Sequence, residues 1–146
     1  MMILLAVAGL AIDIGRMYVI KSELQAFADA AALSAALRLD GTPGGLEEAR
    51  RAARELAAGP NAMKWDMGTR PITEIAVSFA NGETRPDDKS WQAAGDPADL
   101  HFVRVVASAP APLIFLRAFQ TLGGESSQVA AASVAGKNGQ AVRLFQ

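Results

Sequence analysis

The sequence predicts an α+β protein. One long N-terminal helix, membrane-proximal at first and amphipathic beyond, precedes a small head made of a second helix and an antiparallel sheet of about three strands. Three observations carry this prediction. No Pro or Gly interrupts the run from Arg16 to Asp40. Gly and Pro cluster at residues 41–45 and again at 59–60, where helices end. From Ile72 onward the apolar period changes from the helical repeat to two.

The first helix opens with MMILLAVAGLAI, which carries no charge and no strongly polar side chain. Twelve helical residues rise about 18 Å against a bilayer core of about 30 Å, so the run is about eight residues short of a span. It lacks the basic flank of a signal peptide. Three readings fit: a buried core helix, an interfacial anchor, or the distal part of a membrane helix that begins upstream, which is the reading adopted. Asp13 and Arg16 follow one turn apart and can pair at i,i+3. A carboxylate in mid-bilayer costs about 2.5–3.5 kcal/mol, and less at the hydrocarbon edge beside an Arg that reaches for water. Asp13, Arg16 and Tyr18 therefore mark the expected membrane boundary. The same spacing also fits an ordinary exposed helix pair.

Beyond Arg16, Ile20, Leu24, Phe27, Ala31 and Ala35 recur at spacings of 4, 3, 4 and 4 and form one apolar stripe. Lys21, Gln25 and Asp29 form a polar stripe at i,i+4. Asp40-Gly41-Thr42-Pro43 ends the helix, with Gly41 suited to a left-handed cap. A helix from Met1 to Leu39 would be about 58 Å long, too long for a compact domain of this size, so one half is expected to project.

On these residues the segment resembles the N-terminal region of the TadE/TadG-like proteins of Flp (Tad) pilus assembly. The family pattern runs from a hydrophobic helix into Asp-x-Gly-Arg-x-Tyr, met by Asp13, Gly15, Arg16 and Tyr18. It continues as an Ala-rich stretch, met by Leu24, Gln25, Ala28, Asp29, Ala30, Ala31, Ala32, Leu33, Ala35 and Ala36. Phe27 stands where a small residue is usual. The resemblance implies a helix that packs beside those of other pilin-like or Tad assembly subunits, through Ile20, Leu24, Phe27, Ala28, Ala31, Ala32 and Ala35. It also implies residues 1–39 as membrane anchor and assembly helix, and residues 40–146 as a pilin-like head outside the cytoplasm. The large family members carry a von Willebrand-type domain with a metal site, which this chain is too short to hold.

In the head, Thr42 caps a second helix with Pro43 in its first turn. Leu46, Ala49, Ala53 and Leu56 form its apolar face. Its solvated face carries the acids early and the arginines late, which suits the helix dipole; Glu47–Arg51 has i,i+4 spacing and Arg50–Glu55 comes near it. Gly59-Pro60-Asn61 stops the helix. Ile75, Val77 and Phe79 alternate with Glu74, Ala76 and Ser78 as a half-buried strand, followed by an Asn81-Gly82 turn signal. Glu83 to Asp99 reads as an exposed loop. Leu100 to Ser108 reads as a second strand, with Phe102, Arg104 and Val106 on one face and His101, Val103 and Val105 on the other. Pro110 and Pro112 are expected to end it. Leu113 to Leu122 suits a short helix, and Ser127 to Ala135 a third strand. The tail from Lys137 has little pattern and is expected to fray.

Chemistry finds little foothold. The chain has 146 residues, no Cys, one His, 14 basic and 15 acidic side chains, and a formal net charge of −1. A balanced charge gives no basic face for nucleic acid, and without Cys there is neither a disulfide framework nor a thiolate metal site. His101 lies in a strand without obvious catalytic partners. Asp87, Asp88, Asp96 and Asp99 do not follow an EF-hand spacing and read as solvated loop acids. Trp65 and Trp91 suit either an interface or a cap on a small core.

The expectation is a non-enzymatic, single-pass component of Flp/Tad pilus assembly in the inner membrane, acting through helix packing. It would contact inner-membrane lipid and need no cofactor, metal, nucleic acid or small-molecule substrate. The alternative is a soluble, helix-mediated oligomeric binding module with no membrane role.

Overall fold

The structure, a computed structural model, describes residues 2–81, 91, 95–111, 128–138 and 141–145. Its spine is α1, Met2–Ala36, an unbroken helix of 35 residues and so about 52 Å long. It stops three residues before the expected end at Leu39. The Arg38 and Leu39 amides there donate to Ala35 and Ala36 in tighter i→i+3 bonds, and Gly41 adopts φ +81° on the way out.

α2, Pro43–Glu55, starts as the sequence predicts. Thr42 is extended and its Oγ1 accepts the Gly45 amide at 3.0 Å. Thr42 in turn donates from its amide and its hydroxyl to Asp40. Ala49 and Ala53 are buried and Leu46 and Leu56 half-buried, as the apolar face requires. The expected Glu47–Arg51 pairing is corrected: Glu47 pairs with Arg50, and Arg51 lies between Glu48 and Glu55. Arg50 also lies over the Phe79 ring, 4.9 Å from its centroid, which draws its guanidinium away from Glu55.

A short antiparallel hairpin follows, β1 (Lys64–Trp65) with β2 (Arg70–Pro71). The main sheet is an antiparallel meander in the order β3 (Glu74–Asn81), β4 (Leu100–Pro110), β5 (Gln128–Asn138), β6 (Ala141–Phe145). The architecture is thus α+β as expected, but with four strands in the main sheet rather than about three. The tail, expected to fray, is paired where it is described: Lys137 and Asn138 close β5, and Val134 to Asn138 pairs back on β6. The exposed Arg143 between half-buried Val142 and Leu144 is the alternation of a strand. β4 continues past Ser108 to Pro110, which lies opposite Gln128 at the very end of the ladder, where a missing N–H costs least. The short helix expected at Leu113–Leu122 and most of the loop from Glu83 to Ala94 lie outside the described residues.

The core sits between the sheet and the C-terminal two-thirds of α1. Ile20, Leu24 and Phe27 are its large fully buried side chains on the helix, each contributing about 1.5–3 kcal/mol by burial. Val103 and Val105 of β4 belong to the same buried cluster. Ala31, Ala32, Ala35 and Ala36 of α1 share this cluster with Ala107, Ala109, Ala131 and Ala135 on the inner side of β4 and β5. Small residues on both partners let helix and sheet come close. The sheet's outer face is partly covered too: Trp91 packs with Ala80, Phe102 and Val134, and Arg104 lies 5.8 Å from the Trp91 ring centroid. Both tryptophans are therefore core caps.

Candidate functional site: the polar joint of the long helix

The first half of α1 differs from the second in what covers it. Val7, Leu10, Ile12, Ile14, Tyr18 and Val19 are all exposed large apolar side chains. Val7, Leu10, Ile14 and Tyr18 follow spacings of 3, 4 and 4, which places them on one helix face. Beyond this face the helix dives into the core at Ile20. The exposed apolar side chains thus gather on the N-terminal half, where Gly9 and Asp13 alone are buried among the described side chains before Ile20.

Asp13 lies within that apolar stretch yet is only 1 % exposed, on the same side of the helix as Ile20 and Leu24. Arg16, one turn on, was expected to pair with Asp13. Its ion pair is instead with Asp66, fifty residues away in sequence, in the turn between β1 and β2. Arg16 Nε lies 3.1 Å from Asp66 Oδ1, and one terminal nitrogen lies 2.8 Å from each carboxylate oxygen. Arg70 adds its Nε at 3.2 Å. Asp66 is 7 % exposed, so its charge is held by two guanidinium groups.

The turn around Asp66 has unusual backbone. Asp66 and Met67 both have φ +57°, and Gly68 has φ +75°. Asp tolerates the left-handed region; Met does so at a cost. The conformation is held by the Thr69 amide, shared between the Trp65 and Asp66 carbonyls, and by the Thr69 hydroxyl, which donates to the Asp66 carbonyl at 2.7 Å. Trp65 Nε1 donates to the Pro71 carbonyl at 2.9 Å, and Arg70 lies over the Trp65 ring. Finally the Met67 amide donates to Glu23 Oε2 of α1 at 3.2 Å. The hairpin is therefore clamped to the long helix at Arg16 and at Glu23. Sequence reasoning missed Asp66 and Arg70. The available signal was the Asp66-Met67-Gly68 turn between Trp65 and Arg70, but nothing in the sequence aims that turn at Arg16.

The boundary and packing residues have these places in the structure. Tyr18 is 75 % exposed. Ile20, Leu24, Phe27, Ala28, Ala31, Ala32 and Ala35 are fully buried. The sequence assigned that stripe to neighbouring subunits; here it is the chain's own core, because the head folds back over it. The polar stripe beside it is bound in place, with Gln25 Nε2 donating to Asp29 at 2.8 Å and to the Ala132 carbonyl of β5 at 3.3 Å.

Among the described residues, no three His, Asp or Glu side chains gather where they could hold a metal ion. His101 is exposed and lines, with Asp40 and Lys137, a shallow pocket of about 290 Å³ at the far end of the molecule from the polar joint. Asp40 is held below the ordinary carboxylate range by the Thr42 hydroxyl first and the Thr42 amide second. Asp96 caps the single turn Pro97–Asp99 by accepting the Ala98 amide. Among the described residues, no helix is long and apolar enough to cross a membrane.

No curated protein and no solved structure matches the chain. Residues 1–38, which hold Asp13, Arg16 and the whole buried stripe from Ile20 to Ala35, match the family model described as Putative Flp pilus-assembly TadE/G-like, a match that supports a role in pilus assembly.

Proposed function

We propose that the protein is a membrane-anchored, non-enzymatic, pilin-like component of Flp/Tad pilus assembly. The apolar first half of α1 would sit in the inner membrane as part of a single-pass anchor, and the head would stand outside the cytoplasm. The observation that carries this reading is the contrast along one unbroken helix. Val7, Leu10, Ile12 and Ile14 are exposed before the joint, whereas Ile20, Leu24 and Phe27 are buried after it. Exposed apolar side chains crowded on one helix end need a cover other than water, and a bilayer supplies one.

Because the Ala-rich stripe is used inside the chain, contact with partner subunits falls to what α1 leaves uncovered, chiefly the Val7–Leu10–Ile14–Tyr18 face. Helix packing in lipid gains from shape fit rather than from apolar burial. Ala8, Ala11 and Gly15 between those side chains leave room for a neighbour.

Fractionation of the natural gene product in its host tests the anchor. Sedimentation with inner membrane after alkaline washing, with the head open to protease added from outside, is the expected result. Recovery in the soluble cytoplasm overturns the reading.

A further inference from the structure

The clamp at Asp66 fixes a feature that the anchor alone does not require. The hairpin tip carries Met67, 70 % exposed, in a strained left-handed backbone that Gly or Asn would adopt more cheaply. Its amide and its neighbouring carboxylate are tied to α1 at Glu23 and Arg16. Helix side chains lean toward the N-terminus, so the Glu23 carboxylate meets Met67 near the level of Val19, roughly 9 Å along the axis from Asp13. The polar layer of one leaflet is about 5–8 Å deep, and a Met side chain reaches most of the remaining distance. In the hairpin itself, exposed Lys64 and half-exposed Arg70 flank the tip. Basic side chains beside an exposed apolar tip suit an anionic lipid surface.

We infer that the β1–β2 hairpin is a second foot of the protein on the membrane. The Arg16–Asp66–Arg70 clamp sets the tip at Met67 into the anionic headgroup layer of the bilayer that holds α1. This rests on the anchoring reading above. The foot fixes how the head stands: a helix alone leaves the head free to tilt and spin, whereas a clamped second contact holds one side of it down.

The chain has no Cys, so single labels can be placed freely. Met67→Cys and, separately, Leu10→Cys carry an environment-sensitive fluorophore in the full chain, reconstituted into vesicles of phosphatidylcholine with phosphatidylglycerol. The expected result is quenching of the label at 67 by a headgroup-level lipid quencher. That quenching is lost in pure phosphatidylcholine, in high salt and with Asp66→Asn added, while quenching at position 10 by acyl-chain quenchers persists in all three. In the unsubstituted protein, backbone hydrogen exchange over residues 64–71 slows on the anionic vesicles alone, which serves if the labelled hairpin misfolds. A label at 10 in lipid with the label at 67 open to aqueous iodide overturns the foot and leaves the anchor standing. Protection of 67 from iodide without lipid quenching means a protein contact, and also overturns the foot. Absence of lipid quenching at both positions overturns foot and anchor together.

Discussion

Asp66→Asn isolates the charge of the clamp. Asn tolerates φ +57° as well as Asp does, so the turn keeps its backbone and only the ionic part of the contact is lost. The contact is a forked one, with three nitrogen–oxygen distances of 2.8–3.1 Å from Arg16 and a fourth of 3.2 Å from Arg70. Hydrogen bonds to charged groups are worth about 1.5–3 kcal/mol, and breaking a buried pair costs about 3–5 kcal/mol. The lower part of that scale applies here. Arg16 is 26 % and Arg70 51 % exposed, so water takes over part of each cation's solvation, and the Asn carbonyl still accepts one bond. The expected loss is about 2 kcal/mol, or a fall in Tm of roughly 6 °C for a chain of this size. Urea titration in detergent micelles, followed by Trp65 emission in a Trp91→Phe background, reads it directly, because the Trp65 ring lies beside Arg70 and its indole is bonded to the Pro71 carbonyl. A double-mutant cycle with Arg16→Gln should return most of the loss as coupling. A stability within about 0.5 kcal/mol of the parent, with no coupling, refutes the clamp.

Three further outcomes follow from local geometry. A Cβ on Gly45 would stand 2.0 Å from Asp40 Oδ1 and 3.0 Å from the Arg38 carbonyl, so Gly45→Ala should cost about 1 kcal/mol despite the helix propensity gained; a more stable variant in thermal unfolding would contradict this packing. Ser133 Oγ is buried facing α1 with no hydrogen-bond partner among the described residues, so Ser133→Ala should raise the stability read by urea unfolding by about 1 kcal/mol, and a clear drop would show that the hydroxyl is bonded. Asp40 is held ionised by Thr42, so its folded pKa lies below its unfolded one. Its contribution is therefore complete above the unfolded value and disappears as pH falls through the lower folded value. The stability gap between parent and Asp40→Asn should close toward acid pH; a gap that widens on acidification has the wrong sign.

The sequence by itself determined the elements whose signals are local. Thr42 and Pro43 mark the start of α2 because a hydroxyl acceptor and a pre-set φ act within one turn. The alternation of Ile75, Val77 and Phe79, and the two faces of β4, follow from the pleat. The buried stripe from Ile20 to Ala35 follows from 3.6 residues per turn, and the family match over residues 1–38 includes this stretch. The tail was misread because its strand is only five residues long, and its pattern has meaning only beside β5. Periodicity shows that a face is apolar, not what covers it. Only the tertiary structure decided that the chain's own sheet, rather than a neighbouring subunit, lies on the Ala-rich stripe. The partner of Arg16 was likewise settled in space: charge attraction does not depend on sequence separation, and the turn holding Asp66 reaches α1 only once the head has closed over it.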